Sequence, residues 1–344
     1  MNGLNLPSRN YDARGGLYGA QMVAAKYCGL SAPPWKAEGE WQHGWIVKER
    51  NIHPESVVGY DGKSFGRRGK VKFFVAREDQ ASYLRSCGYK HVVAIGLPVV
   101  YLPSNQLNRM AGSLLVMPVH SLPGTTEQWN DDAYVEYIRF ISHHFSKIVV
   151  CIHSACLAKD NWSAFTKAGF EVVSGAEVKD ANSLQRMADL FSQFEYVTTN
   201  EFGSQVAYAN YFGCKVSVSG PRVEFRKEDY ANLSLYKNVP ELLDIAADRK
   251  SNGYMFETYK QFAVNPWQAN AHQEWAACEL GEQNKKTPTE LRRLFGWNFQ
   301  GWLRRVRGEL SRKIGILRKA LLFSLLCCRN VLGLSLRSLY RRFK

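Results

Sequence analysis

The stretch Tyr196-Val-Thr-Thr-Asn-Glu-Phe-Gly-Ser-Gln-Val-Ala-Tyr-Ala-Asn-Tyr-Phe-Gly-Cys-Lys-Val216 reads as a strand, a polar turn, a helix and a second strand. The first strand ends at Thr198. The turn Thr199–Gly203 follows, a helix opens at about Ser204, and Gly213 stops it before the next apolar run. A strand feeding a helix that feeds a strand is the unit of a parallel α/β sheet. Hydroxyl, amide and glycine residues at a helix start leave backbone N–H groups free for an anion such as a diphosphate. The same residues would equally serve as ordinary caps for those N–H groups.

The same grammar extends in both directions. Upstream, strands are expected at Val71–Val75, Val92–Ile95, Leu114–Val119, Lys147–Ile152 and Phe170–Val173, with a further extended piece at Val99–Leu102. Helices are expected at Gly16–Tyr27, Asp79–Cys87, Asp131–Phe145, Trp162–Ala168 and Ser183–Phe191; downstream come a strand at Val216–Val218 and a helix at Pro240–Ala247. The polar break Pro103–Gly112 divides two βα runs and reads as an interdomain linker. The expected organisation is residues 1–108 as a first Rossmann-like domain, 109–288 as a second, and 289–344 as a basic tail. Two such domains facing a cleft would place a ligand at the carboxyl ends of the strands.

Charge separates the tail from the body. The chain of 344 residues carries a net charge of +14, and residues 285–344 alone, with 16 Lys/Arg against Glu290 and Glu309, account for all of it. A neutral body argues against a nucleic-acid-binding domain, whose basic footprint would lie on its folded surface. From Phe299 onward, Trp302, Val306, Leu310, Ile314, Leu317 and Leu321 recur every three or four residues among arginines and lysines. A helix both basic and apolar fits an anionic membrane surface. Its longest charge-free run, Ala320–Cys328, is too short to span a bilayer. Met1–Asn10 has no signal-peptide pattern, and the cysteines show no zinc spacing. The expectation is a cytoplasmic protein, peripheral on the inner face of the cell membrane.

Several familiar chemistries find no support. Gly59–Ser64 lacks the first glycine of a P-loop. No G-x-G-x-x-G follows a strand, no G-x-S-x-G elbow occurs, and no D-x-D is present for a metal-bound nucleotide. What stands out is Trp41-Gln-His-Gly-Trp45, an imidazole in an aromatic turn, suited to proton transfer or to packing. Two expected strands end in His-Ser, at His120-Ser121 and His153-Ser154, which a ligand at the strand ends could touch.

The Trp41–Trp45 cluster, Ala94–Pro98 with Tyr101–Pro103, Met117–Ser121, Thr198–Gly213, and Cys278–Glu282 with Thr287–Trp297 together resemble bacterial surface-polysaccharide (O-antigen or capsule) glycosyltransferases of the GT-B fold. The resemblance implies two Rossmann-like domains and a nucleotide-sugar donor held mainly by the second, with no cofactor and no obligatory metal. It implies roles for His43, as catalytic base if the enzyme inverts and as an oxyanion or sugar contact if it retains, and for Thr198, Thr199, Asn200, Glu201, Gly203 and Ser204 in the donor site; His120, Ser121, His153 and Ser154 join the donor candidates by their place at strand ends. A lipid-linked saccharide acceptor at the inner leaflet is expected, since it would explain the tail. The chain departs from the sialyltransferase pattern, because His53-Pro54 lies in the first half. The alternatives are a CDP-polyol phosphotransferase of the teichoic-acid type and an inactive membrane-docked scaffold.

Overall fold

A computed structural model describes residues 4–47, 53–59, 61–103, 109–120, 125, 130–157, 162–223, 225–251 and 253–332. The chain forms two units, Met1–Leu291 and Arg292–Lys344.

The first unit contains two sheets, and every strand pair in them is parallel. The smaller sheet is β1 (Glu40–Trp41), β2 (Phe73–Val75) and β3 (Val92–Ala94), in that order. The larger sheet holds β4 (Met110–Val116), β5 (Lys147–Ile152), β6 (Glu171–Ser174), β7 (Phe194–Thr199) and β8 (Lys215–Val218), in the order β6-β5-β4-β7-β8. The order reverses direction between β4 and β7, where Val116 pairs Thr198. A crevice forms outside the carboxyl ends at such a switch point. The expected domain boundary at residue 108 falls between β3 and β4, which belong to different sheets, while both sheets lie in one compact unit.

Burial explains these strands. Phe73, Val75, Val92 and Ala94 pack with Val57, Ala81, Leu84 and Tyr89 under the smaller sheet. Leu114, Val116, Val150 and Ile152 pack against Tyr134, Ile138, Ile141 and Phe165. Tyr134, Ile138 and Ile141 fall on one face of the Asp131–Ile141 helix, at the spacing that meets a sheet.

Four readings of the sequence need correction. The helix expected from Gly16 begins at Ala20, because Gly16, Tyr18 and Gly19 all have positive φ and cannot continue a right-handed turn. Val99–Leu102 is not extended: Pro98–Tyr101 is a 3-10 turn, with Pro98 presetting φ and the Tyr101 hydroxyl donating to the Ile95 carbonyl. The strand expected at Leu114–Val119 runs earlier, Met110–Val116, and stops before Pro118. Met110 through Gly112 therefore belong to β4 rather than to the linker, while residues 104–108 lie outside the described residues. The two-residue strand β1 was not expected from the pattern.

Two segments tie the sheets together. Residues 5–19 run along the larger sheet's side: Arg9 Nη1 donates to Asp180 at 2.9 Å, and Asn5 N to Gln193 at 3.0 Å. The Gln273–Leu280 helix packs on the Ser204–Tyr211 helix and ends beside the segment that follows β3, where Leu97 N donates to Leu280 O at 2.8 Å.

The second unit contains the Phe299–Leu332 helix of 34 residues. Phe299, Trp302, Val306, Leu310, Ile314 and Leu317 stand exposed along it. Among the described residues no helix is long and apolar enough to cross a membrane.

Candidate functional site

The turn after β1 lies directly on the start of the Ser204–Tyr211 helix. Trp45 N donates to Ser204 Oγ at 3.0 Å, and the Tyr208 hydroxyl donates to the His43 carbonyl at 3.3 Å. Gly44 suits this approach, since a β carbon there would lie 2.8 Å from Ser204 Oγ and the hydroxyl would have to turn away from Trp45. Beneath the turn, buried Gln42 accepts from Ala76 N at 3.0 Å and donates to Gly44 O at 3.0 Å. Trp45 is walled by Tyr259 and Trp275, and its Nε1 donates to Glu279 at 2.9 Å. Glu279 also accepts from Arg77 Nη1 at 2.7 Å. The two sequence blocks that carry the most chemistry are thus one structure.

Together they line a cavity of about 1100 Å³ at the carboxyl ends of β4 and β5. His43, His120, His153, Glu201, Gly203 and Ser204 line it. The imidazoles form a row with Tyr18. The His120 and His153 rings stack with centroids 4.3 Å apart. Tyr18 stacks on His43 at 6.2 Å, and its hydroxyl lies 3.4 Å from His153 Nε2.

Burial sets the charge of these rings. His43 stands exposed on the cavity wall, and the protein mass around the ring draws its pKa below the usual imidazole value. Burial, with the neighbouring His120 and Arg9, pulls His153 down to about 3. His153 Nδ1 accepts from Ala155 N at 3.1 Å, so its proton resides on Nε2. Both rings are neutral at pH 7. Burial likewise raises the Tyr18 hydroxyl.

The other expected donor residues lie elsewhere. Thr198 is fully buried and its Oγ1 accepts from Ser217 across β7 and β8 at 2.8 Å. Thr199 Oγ1 donates to Glu201 O and accepts from Gln205 Nε2, both at 3.2 Å. Asn200 brackets two loops, accepting from Val119 N at 2.9 Å and donating to Pro221 O at 3.1 Å. None of these lines the cavity, nor does Ser154, and Ser121 lies outside the described residues. Thr198, Thr199 and Asn200 hold the turn through these bonds. Ser204 faces the cavity but already holds Trp45, and no side chain caps the helix that Gly203 opens. Tyr18 carries no motif and was missed; a tyrosine among glycines signals nothing until its backbone is seen. Among the described residues no three His, Cys, Asp or Glu side chains gather as metal ligands.

No protein-family model and no curated protein sequence matches this chain. Among solved structures, it is similar to the pneumococcal O-GlcNAc transferase GtfA in complex with UDP and GlcNAc. There the identity is 15%, the TM-score 0.34, and 78% of this chain and 52% of that chain are covered. A second similarity is to a mutant of S. aureus TarM in complex with Fondaparinux, alpha-GlcNAc-glycerol and UDP. The values are 10% identity, TM-score 0.29, and coverage of 72% of this chain and 50% of that one. The chain spans about half the length of each of these proteins.

Proposed function

We propose that this protein is a glycosyltransferase that moves a sugar from a nucleotide-sugar to a saccharide acceptor in the synthesis of a cell-surface polysaccharide. One observation carries the reading: the His43–Trp45 turn is docked on the uncapped N-terminus of the Ser204–Tyr211 helix, and both face one cavity at a parallel-sheet switch point. The helix N-terminus suits a departing diphosphate, which its dipole and N–H groups stabilise. Glu201 would repel phosphates and instead suits the hydroxyls of a ribose or sugar. His43, neutral at pH 7, is suited to take the proton of the acceptor hydroxyl as its oxygen bonds to the anomeric carbon and the nucleoside diphosphate leaves. No cofactor enters this scheme; the nucleotide-sugar is a substrate.

The acceptor in this reading is lipid-linked, and the Phe299–Leu332 helix brings the enzyme to the anionic inner face of the membrane. The exposed row from Phe299 to Leu317, flanked by Arg304, Arg307, Arg312, Lys313 and Arg318, supports an orientation lying in the interface. A panel of nucleotides and nucleotide-sugars against thermal unfolding of the full-length protein tests the donor. One nucleoside diphosphate should raise the midpoint, and turnover should release it. Release of a nucleoside monophosphate would favour polyol-phosphate transfer, and no response to any nucleotide would overturn the reading.

A further inference from the structure

We propose that Tyr18 is the positioning residue of this site, the side chain that holds His43 and His153 in register across the cavity; this rests on reading His43 as the base. Among the described residues Tyr18 is the only non-glycine with positive φ, at φ 54 and ψ 19. That conformation is unfavourable for a residue with a β carbon. The surroundings impose it. Tyr18 N donates to Val178 O at 2.8 Å. The next residue, Gly19, lies so near Ala181 that a β carbon on it would stand 2.1 Å from the Ala181 carbonyl oxygen. Glycine would relieve the backbone at position 18, yet a large aromatic side chain stands there. Strain of this kind is retained where the side chain has a task.

The task is visible in the contacts. The Tyr18 ring lies on His43 with an interplanar angle of 18° and meets His153 edge-on at 64°. His153 Nε2, which carries the ring proton, faces the Tyr18 hydroxyl. His43 comes from the turn after β1 and His153 from the end of β5, so one residue of the N-terminal segment touches the imidazoles of both sheets. Removing the ring would take one wall from His43 and free it to turn.

The test uses full-length protein with isotope-labelled histidine, the His43 signal being identified by its loss in His43→Gln. Tyr18→Gly removes the side chain while suiting the left-handed backbone; Tyr18→Phe keeps the ring. In Tyr18→Gly the His43 titration should move upward toward the ordinary imidazole value. In Tyr18→Phe it should stay put while the His153 ring signals shift. With a donor that turns over, Tyr18→Gly should lose about tenfold or more in kcat with KM changed less than about threefold, and Tyr18→Phe should recover most of it. A folded Tyr18→Gly protein whose His43 titrates as in the native chain overturns the proposal. Absence of transfer by the native protein would remove the glycosyltransferase reading alone, since the titration still decides the role of Tyr18.

Discussion

Ser204 Oγ accepts its hydrogen bond from the backbone N–H of Trp45, 159 positions earlier in the chain, at 3.0 Å. A hydroxyl expected to cap its own helix or to hold a phosphate instead joins the two halves of the site.

Ser204→Ala should therefore cost about 1–3 kcal/mol of stability by leaving the Trp45 N–H without its acceptor. Gly44→Ala forces a β carbon against the same oxygen and should cost a similar amount. The two are coupled, because the alanine at 204 removes the atom with which the alanine at 44 collides. A denaturation double-mutant cycle should give a favourable interaction of about 0.5 kcal/mol or more. Strict additivity would show that the turn does not rest on Ser204.

Glu279 accepts from Trp45 Nε1 and from Arg77 Nη1, with both charged side chains mostly buried. Glu279→Ala leaves Trp45 Nε1 without its acceptor and leaves Arg77 with Asp79 as its carboxylate partner, and should destabilise the chain by about 1–3 kcal/mol. Glu279→Gln keeps an acceptor and should recover about half. Chemical denaturation of the two variants checks the order.

The imidazoles predict an acid limb. His153 binds its proton only near pH 3 in the folded state, against about 6.5 when unfolded. Between those values the unfolded chain binds more protons, so stability falls as pH drops, by up to about 1.4 kcal/mol per pH unit for that ring. His43, also lowered, acts in the same sense. Asp131, raised to about 6 by burial and by Asp132, acts oppositely, adding stability at low pH that is lost as pH rises through 6. His153→Gln should flatten the pH dependence between about 4 and 6. Asp131→Asn should steepen it. Urea midpoints measured across that range decide both.

A chain ending at Trp297 should still respond to nucleotide but should no longer sediment with anionic vesicles. Full-length protein should bind them at low salt and release as salt rises, each basic group near the surface contributing about 1 kcal/mol. Equal binding to neutral vesicles would argue that the apolar row acts without the charges.

Much of the larger sheet was legible. Lys147–Ile152 is found with its expected bounds, because a long apolar run before a polar turn has one cheap solution. The strand–turn–helix at Phe194–Tyr211 was equally plain. What escaped depends on distant partners. β1 has two residues and exists only because Glu40 and Trp41 pair with Phe73 and Phe74. The Thr199 and Asn200 side chains match a phosphate turn by type, but Gln205, Val119 and Pro221 hold them, and no local pattern names those partners. Tyr18 depends on Val178 for the conformation that makes it useful.

The junction at Gly281 governs when this protein can fold. Gly281 has φ 74, and a β carbon on it would stand 2.0 Å from the Ala76 carbonyl oxygen. Asn284 Nδ2 donates to that same oxygen at 3.1 Å. The smaller sheet, written before residue 95, is closed by residues that leave the ribosome some two hundred positions later. At about 5–20 residues per second, its strand ends wait for roughly nine to forty seconds during synthesis. So long a separation in sequence also slows closure of the free chain. Nascent chains stalled before Gly281 should thus engage chaperones that bind apolar strands, and substitutions at Gly281 should lower yield in cells more than they lower the melting point of what does fold.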